Sequence, residues 1–217
     1  MQRTILITRP QFDPATHYLR EWAKKIIFVA EDKGFNIYTL EPKECTKKEF
    51  EKRLLKNNPH LVLLNGHGSY DRVAGQNNEV ILMVGDNEHL LAKKIIHAFS
   101  CSSANKLGPA CISKGAIAYI GFDQDFIFWQ DERYTATPLK DNVAKHFLEP
   151  TNLAPISLIK GNTVKEAFNK SQDAFDKAIK YFETHYTLQN SHILFALRYN
   201  KAVHKMHGKA NATIFDL

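Results

Sequence analysis

The apolar positions along the chain follow two different periods. Short, nearly continuous apolar runs occur at Thr4–Thr8 (TILIT), Phe35–Leu40, Leu61–Leu64 (LVLL), Lys94–Ser100 (KIIHAFS) and Ala116–Gly121 (AIAYIG). Their length and β-branched content predict strands, and continuity without alternation suits parallel strands covered on both faces. Between them the period changes. Tyr18, Leu19, Trp22, Ala23, Ile26 and Ala30 recur at three- and four-residue spacing, one buried stripe of a helix that Asp13-Pro14 opens and Gly34 ends. Thr46–Glu49 reads as a capping box and starts a second helix, to about residue 57. The order β-α-β-α-β predicts a doubly wound sheet.

The second half is less regular. Turn residues at Gly75–Asn78 and Asp86-Asn87 flank a short strand, Glu79–Val84, so a small hairpin or lid is expected after the third strand, followed by a short helix near Glu88–Ala92. Ser102–Lys114 reads as a helix or a looser helical turn, with Gly115 as its cap. Phe122–Thr137 is long, acidic and aromatic, with no period; long loops in compact domains are often functional. Helices are expected from Pro138 through Phe147, over Val164–Tyr186 and over His192–His207, with an edge strand at Ala212–Leu217. There is no internal repeat. One domain is expected over 1–217, with a core at 4–186 and a C-terminal extension at 187–217.

Composition narrows the classes. The 217 residues are 44% hydrophobic, enough for a sizeable core. The apolar run at the N-terminus is short and broken by Arg9-Pro10, and no stretch reaches membrane-spanning length. The expectation is a soluble, cytoplasmic protein without a membrane partner. Three cysteines, Cys45, Cys101 and Cys111, with no CxxC pair, argue against a disulfide framework or a structural zinc site. The net charge of +6 is spread over pairs such as Lys24-Lys25, Lys47-Lys48 and Lys93-Lys94, which suit solvated faces. Without a contiguous basic patch, a nucleic-acid partner is not expected.

Candidate chemistry sits at two strand ends. One strand leaves the core through Asn65-Gly66-His67-Gly68, another through Ser100-Cys101-Ser102-Ser103. In an open α/β sheet ligands bind at the carboxyl ends of the strands. An imidazole and a thiol meeting there form the minimum set for nucleophilic catalysis. Taken singly, Cys101 is a small buried hydrophobe and Gly-His-Gly a turn; the two together carry the catalytic reading. A helix start after Cys101 would favour the thiolate. The backbone N–H groups of Gly68 and Cys101 could form an oxyanion hole.

A His-Gly strand end followed by a Cys strand end resembles the caspase-like clan (clan CD) of cysteine peptidases, which includes caspases, metacaspases, legumain, clostripain, gingipains and separase. The matching blocks are LVLLNGHGS and IIHAFSCSSA. KGAIAYIGF is similar to the next strand of gingipain-like and separase-like (CHAT-type) members, and Gly161–Ala167 resembles a downstream piece. The resemblance spans about residues 4 to 178. It implies an α/β fold: a caspase-like three-layer α/β/α sandwich with a mostly parallel central sheet and a small hairpin after the third strand. It also implies a cysteine endopeptidase with His67 as general base, Cys101 as nucleophile, and a protein or peptide substrate. Phe99-Ser100 replaces the residues that precede the cysteine in caspases and metacaspases, so their substrate preferences do not transfer.

Asp123, Asp125, Asp131 and Glu132 lie in the long loop. In separase-like relatives acidic residues there bind a basic side chain, which implies cleavage after Arg or Lys through Asp123 and Asp125. Arg9 stands near where caspases place an arginine that binds an acidic side chain; it could instead cap a helix or pair with the acidic loop. Phe126, Phe128 and Trp129 suit either a pocket or the core. No cofactor is expected. Asp123-Gln124-Asp125 has a fragment of a calcium-loop pattern without the remaining ligands; since some metacaspases need calcium, the resemblance leaves a calcium dependence open. His204 and His207 read as a helix-end pair rather than a metal site. The alternative function is a non-catalytic caspase-like protein-interaction module. Oligomeric state is not readable.

Overall fold

A computed structural model describes residues 3–216. Five strands run parallel: β1 (Thr4–Thr8), β2 (Asn36–Leu40), β3 (Leu61–Asn65), a strand at Ile95–Phe99 and one at Ala118–Phe122. Between β3 and Ile95–Phe99 the chain builds a separate antiparallel sheet from β4 (Gly68–Ser69), β5 (Arg72–Ala74) and β6 (Val80–Met83). The later parallel strands are therefore β7 (Ile95–Phe99) and β8 (Ala118–Phe122). A sixth strand, β9 (His204–Gly208), pairs antiparallel with β8, giving the order β2-β1-β3-β7-β8-β9.

Helices cover both faces. On one side stand α1 (Pro14–Asp32), α4 (Asn142–Ile159) and α5 (Val164–Thr184); on the other, α2 (Lys47–Asn57) and α3 (Leu107–Ser113). The strands feed both layers alternately: Ile5, Ile7, Leu61, Leu63 and Ile120 face the first, and Leu6, Val62, Leu64, Ile96 and Tyr119 the second. All are fully buried. This is why the runs are continuous rather than alternating, and each large side chain so placed contributes about 1.5–3 kcal/mol of burial. The architecture is a three-layer α/β/α sandwich with a mostly parallel central sheet and a small antiparallel unit after β3.

The first helices start as their sequences predict. Asp13 caps α1 by accepting from the Thr16 N–H (2.8 Å), with Pro14 in the first turn. Thr46 caps α2.

The second half departs from the sequence expectation. Pro138–Lys140 is only a 3-10 turn; the helix begins at Asn142, capped by Asp141, and runs to Ile159 through Pro150 and Pro155. Proline lacks the N–H a helix needs. Here a buried face against α1 and α5 holds the helix together across both prolines. The final helix, α6 (Ser191–Val203), ends four residues earlier than expected, because His204–Gly208 pairs with β8. The edge strand is therefore β9. Residues 212–216 form no strand, and Leu217 lies outside the described residues. Residues beyond 186 thus complete the central sheet.

Candidate functional site

The five parallel strands all end at one edge of the sheet, and the segments that follow β1, β3, β7 and β8 meet there. The strand order turns back at β1 and β3, the kind of switch point where open α/β sheets bind ligands. The ends of β1 and β3 are locked side by side. The Asn65 N–H donates to Thr8 Oγ1 (2.7 Å), the Thr8 hydroxyl to the Asn65 carbonyl (2.9 Å), and the Asn65 amide to the Thr8 carbonyl (3.0 Å). All three bonds are buried, so the segments that follow keep a fixed relation.

That relation brings His67 to Asp13, with Nε2 and Oδ2 2.5 Å apart. Burial alone would push the Asp13 carboxyl up. Hydrogen bonds from the Thr16 N–H and from His67 outweigh it and hold the group below its ordinary value. A carboxylate only accepts, so Nε2 carries the proton and, in the neutral ring, Nδ1 holds the free lone pair. Phe12 lies edge-on to the imidazole, with ring centroids 5.8 Å apart. Asp13 therefore both caps α1 and orients His67.

The glycines around His67 have separate reasons. Gly66 has φ +152°, and a Cβ there would sit 2.3 Å from the Ala74 carbonyl oxygen on β5. A Cβ on Gly68 would sit 2.6 Å from the Cys101 carbonyl oxygen and 2.9 Å from Ser100 Cβ. Gly68 is therefore where the two strand-end loops touch. The Ala74 N–H donates to the His67 carbonyl (2.8 Å), whereas Gly68 opposes Val73 at the next position. In an antiparallel ladder the next pair is the non-bonded one, so the Gly68 N–H points away from β5.

Cys101 follows β7 with only Ser100 between them, and no helix starts there. Residues 100–106 form turns, and α3 begins only at Leu107. The expected help from a helix dipole is absent because Ser102 takes φ +56° and its N–H bonds the Gln124 carbonyl (3.0 Å). Burial pushes the Cys101 thiol above its ordinary value, and the nearby negative charge of Asp125 adds to this; a hydrogen bond from the Phe126 backbone opposes them. Burial and Asp125 therefore both disfavour the thiolate. The other two cysteines are fully buried, their thiols pushed up to about 12 by burial.

His67 and Cys101 line one cavity of about 130 Å³, together with Gly66 and Ser100. Its remaining walls are Ala15 and Leu19 of α1, Phe99 of β7, and Phe126 and Phe128 of the loop after β8. That loop lacks regular structure but is firmly held. The Asn200 side chain on α6 accepts from the Ile127 N–H (2.9 Å) and donates to the Ile127 carbonyl (2.5 Å). The Tyr18 hydroxyl donates to Asp141 (2.8 Å), and the Trp22 indole to the Pro138 carbonyl (3.1 Å).

The expected substrate-binding residues stand elsewhere. Arg9 is buried and absent from the cavity walls, its guanidinium engaged by Glu41, just past β2, and by the Arg20 carbonyl. Asp123 faces Lys205 at 3.8 Å. Asp125 accepts the Ser102 hydroxyl at 2.7 Å, close enough to affect Cys101 but outside the cavity walls. His204 is buried at the start of β9, stacked on Phe122 and Phe168, and His207 bonds the Ala104 carbonyl (2.9 Å); the helix-end pair gives way to two strand residues. Asp13, Asn200 and the walls from α1 were not legible as site residues. Asp13 carried a visible signal, as a helix cap, but for a different task.

No protein-family model matches the chain, and no curated protein matches it by sequence. Among solved structures the chain is similar to the Arg-specific cysteine proteinase gingipain R, with a TM-score of 0.64 at 11% identity. The match covers 97% of this chain and 47% of that one, so the chain spans about half the length of gingipain R. At that identity the likeness speaks for the fold, which is caspase-like.

Proposed function

We propose that this chain is a cysteine peptidase of the caspase-like clan, with Cys101 as nucleophile and His67 as general base. The observation that carries the reading is the cavity shared by the two side chains at neighbouring strand ends, with Asp13 fixing the imidazole from behind. The clan kinship rests on the two sequence blocks and on the fold. The Arg-specific proteinase nature of gingipain R agrees with it.

In this reading Nδ1 of His67 takes the Cys101 proton as sulfur attacks the peptide carbonyl, because burial disfavours the thiolate. The carbonyl oxygen becomes an oxyanion, and the Gly68 N–H with that of Cys101 would receive it. His67 then protonates the departing amine, the C–N bond breaks, and a thioester remains on Cys101. Water, deprotonated by His67, releases the acid and restores the thiol. Asp13 stabilises the imidazolium formed in between.

The loop aspartates raised the expectation of a basic residue before the cleaved bond. Asp123 is paired with Lys205, and Asp125 lies outside the cavity, so neither supports that preference directly. The test is hydrolysis of a fluorogenic peptide panel by the wild type and by Cys101→Ala, with mass spectrometry for a covalent adduct of an acyloxymethyl ketone on Cys101. Turnover and labelling in the wild type alone are expected. Absence of both would leave the interaction-module reading in its place.

A further inference from the structure

The walls of the cavity differ from what a basic or acidic side chain needs. We infer that the residue whose carbonyl Cys101 attacks is a medium-sized apolar one, of the Leu, Met or Phe class, held between α1 and the loop after β8. This deepens the peptidase reading and rests on it.

The argument begins with reach. The first side-chain carbon of the attacked residue lies about 2.5 Å from its carbonyl carbon. When that carbonyl is within bonding distance of the Cys101 sulfur, the side chain must enter space that opens on both Cys101 and His67. The cavity they share is that space. Its other principal walls are Ala15, Leu19, Phe99, Phe126 and Phe128. Among the described residues no carboxylate, lysine or arginine lines it.

The walls are built, not loosely gathered. Phe126 meets Phe99 edge-on at 4.8 Å and Phe122 at 4.7 Å, and Phe128 leans on Tyr18 at 6.0 Å. Asn200 fixes the backbone between Phe126 and Phe128 through both polar groups of Ile127. The floor of the site is therefore a rigid aromatic surface. The volume of about 130 Å³ is of the order that holds one benzene ring in an apolar protein cavity, about 150 Å³. One aliphatic or aromatic side chain fits that size.

A guanidinium or ammonium placed there would lose its water and meet no counter-charge, only the Ser100 hydroxyl and the His67 ring, which disfavours it. Carboxylates do occur in a wider neighbouring groove of about 490 Å³, beyond Ala15 and Phe128. There Asp13 is occupied by His67, and Glu132 is exposed.

The experiment measures kcat/KM of the whole chain on peptides that differ only in the residue before the fluorophore: Ala, Leu, Met, Phe, Asp, Arg and Lys. Leu, Met or Phe should exceed Arg, Lys and Asp by about 100-fold or more. Ala15→Leu keeps a good helix former in α1 and fills the cavity, so the Phe-to-Ala ratio should fall about tenfold or more. If that variant does not fold, Leu19→Ala enlarges the cavity and should raise the same ratio. Hydrolysis led by Arg, Lys or Asp, or ratios that neither substitution moves, overturns the apolar subsite while the peptidase reading stands. No hydrolysis of any peptide and no adduct on Cys101 overturns the peptidase reading, and the specificity with it.

Discussion

The loops that carry His67 and Cys101 leave the same edge of one sheet, yet they are built on opposite principles. The His67 loop is polar. Its imidazole is 40% exposed and is fixed by a carboxylate that hydrogen bonding keeps ionised. The Cys101 loop instead sets its thiol against an apolar wall: the thiol shares its cavity with Phe99 and Phe126, and burial disfavours the thiolate. The difference teaches that base and nucleophile are prepared separately, the one oriented by a carboxylate and the other kept from ionising by burial.

The comparison breaks most completely if either half is removed. Cys101→Ala and His67→Ala should each lower kcat/KM on the best peptide by about 10⁴-fold or more, with thermal unfolding nearly unchanged for the partly exposed histidine. Cutting the polar half at its source comes next. Asn is a good helix cap, so Asp13→Asn should preserve α1 while letting the imidazole adopt the wrong tautomer. We expect kcat to fall by about 10²- to 10⁴-fold with little change in Tm.

The same carboxyl predicts a pH dependence. Its value is depressed on folding, so its contribution to stability is fully present above about pH 4 and is lost as the pH falls through the lower, folded value. Chemical denaturation between pH 2 and 6 should show a smaller acid loss in Asp13→Asn than in the wild type.

Prying the two loops apart should cost less in rate and more in stability. Gly68→Ala puts a methyl group against the Cys101 backbone, where no flexible side chain can yield. Denaturant midpoints should report about 1–3 kcal/mol of destabilisation, together with reduced turnover. Asn200→Ala frees two backbone groups of Ile127 and should cost about 1–3 kcal/mol, with the aromatic wall loosened. The smallest effect belongs to Asp125→Asn. Removing that negative charge should bring the pH midpoint of Cys101 alkylation by iodoacetamide down; an upward move would contradict the shielded-thiol picture.

Some of this was legible along the chain. The continuous runs at Leu61–Leu64 and Ile95–Phe99 required cover on both faces, and they received it. Asp13 and Thr46 announced helix starts by their own chemistry. The second half was harder to read because distant contacts overrode local preference. Pro150 and Pro155 remain inside α4 because α1 and α5 grip it, and His204–Gly208 leaves the helical pattern because β8 offers an open edge.

The candidate site divides along the same line. Sequence by itself determined which residues end the strands: His67 between two glycines, and Cys101 after an apolar run. Those follow from backbone freedom and burial, which are local properties. Only the tertiary structure decided that Asp13 reaches His67, that Arg9 turns to Glu41, and that three phenylalanines rather than two aspartates wall the cavity. A side chain's partner depends on which segments the sheet order sets side by side, and charge finds its nearest counter-charge in space rather than along the chain.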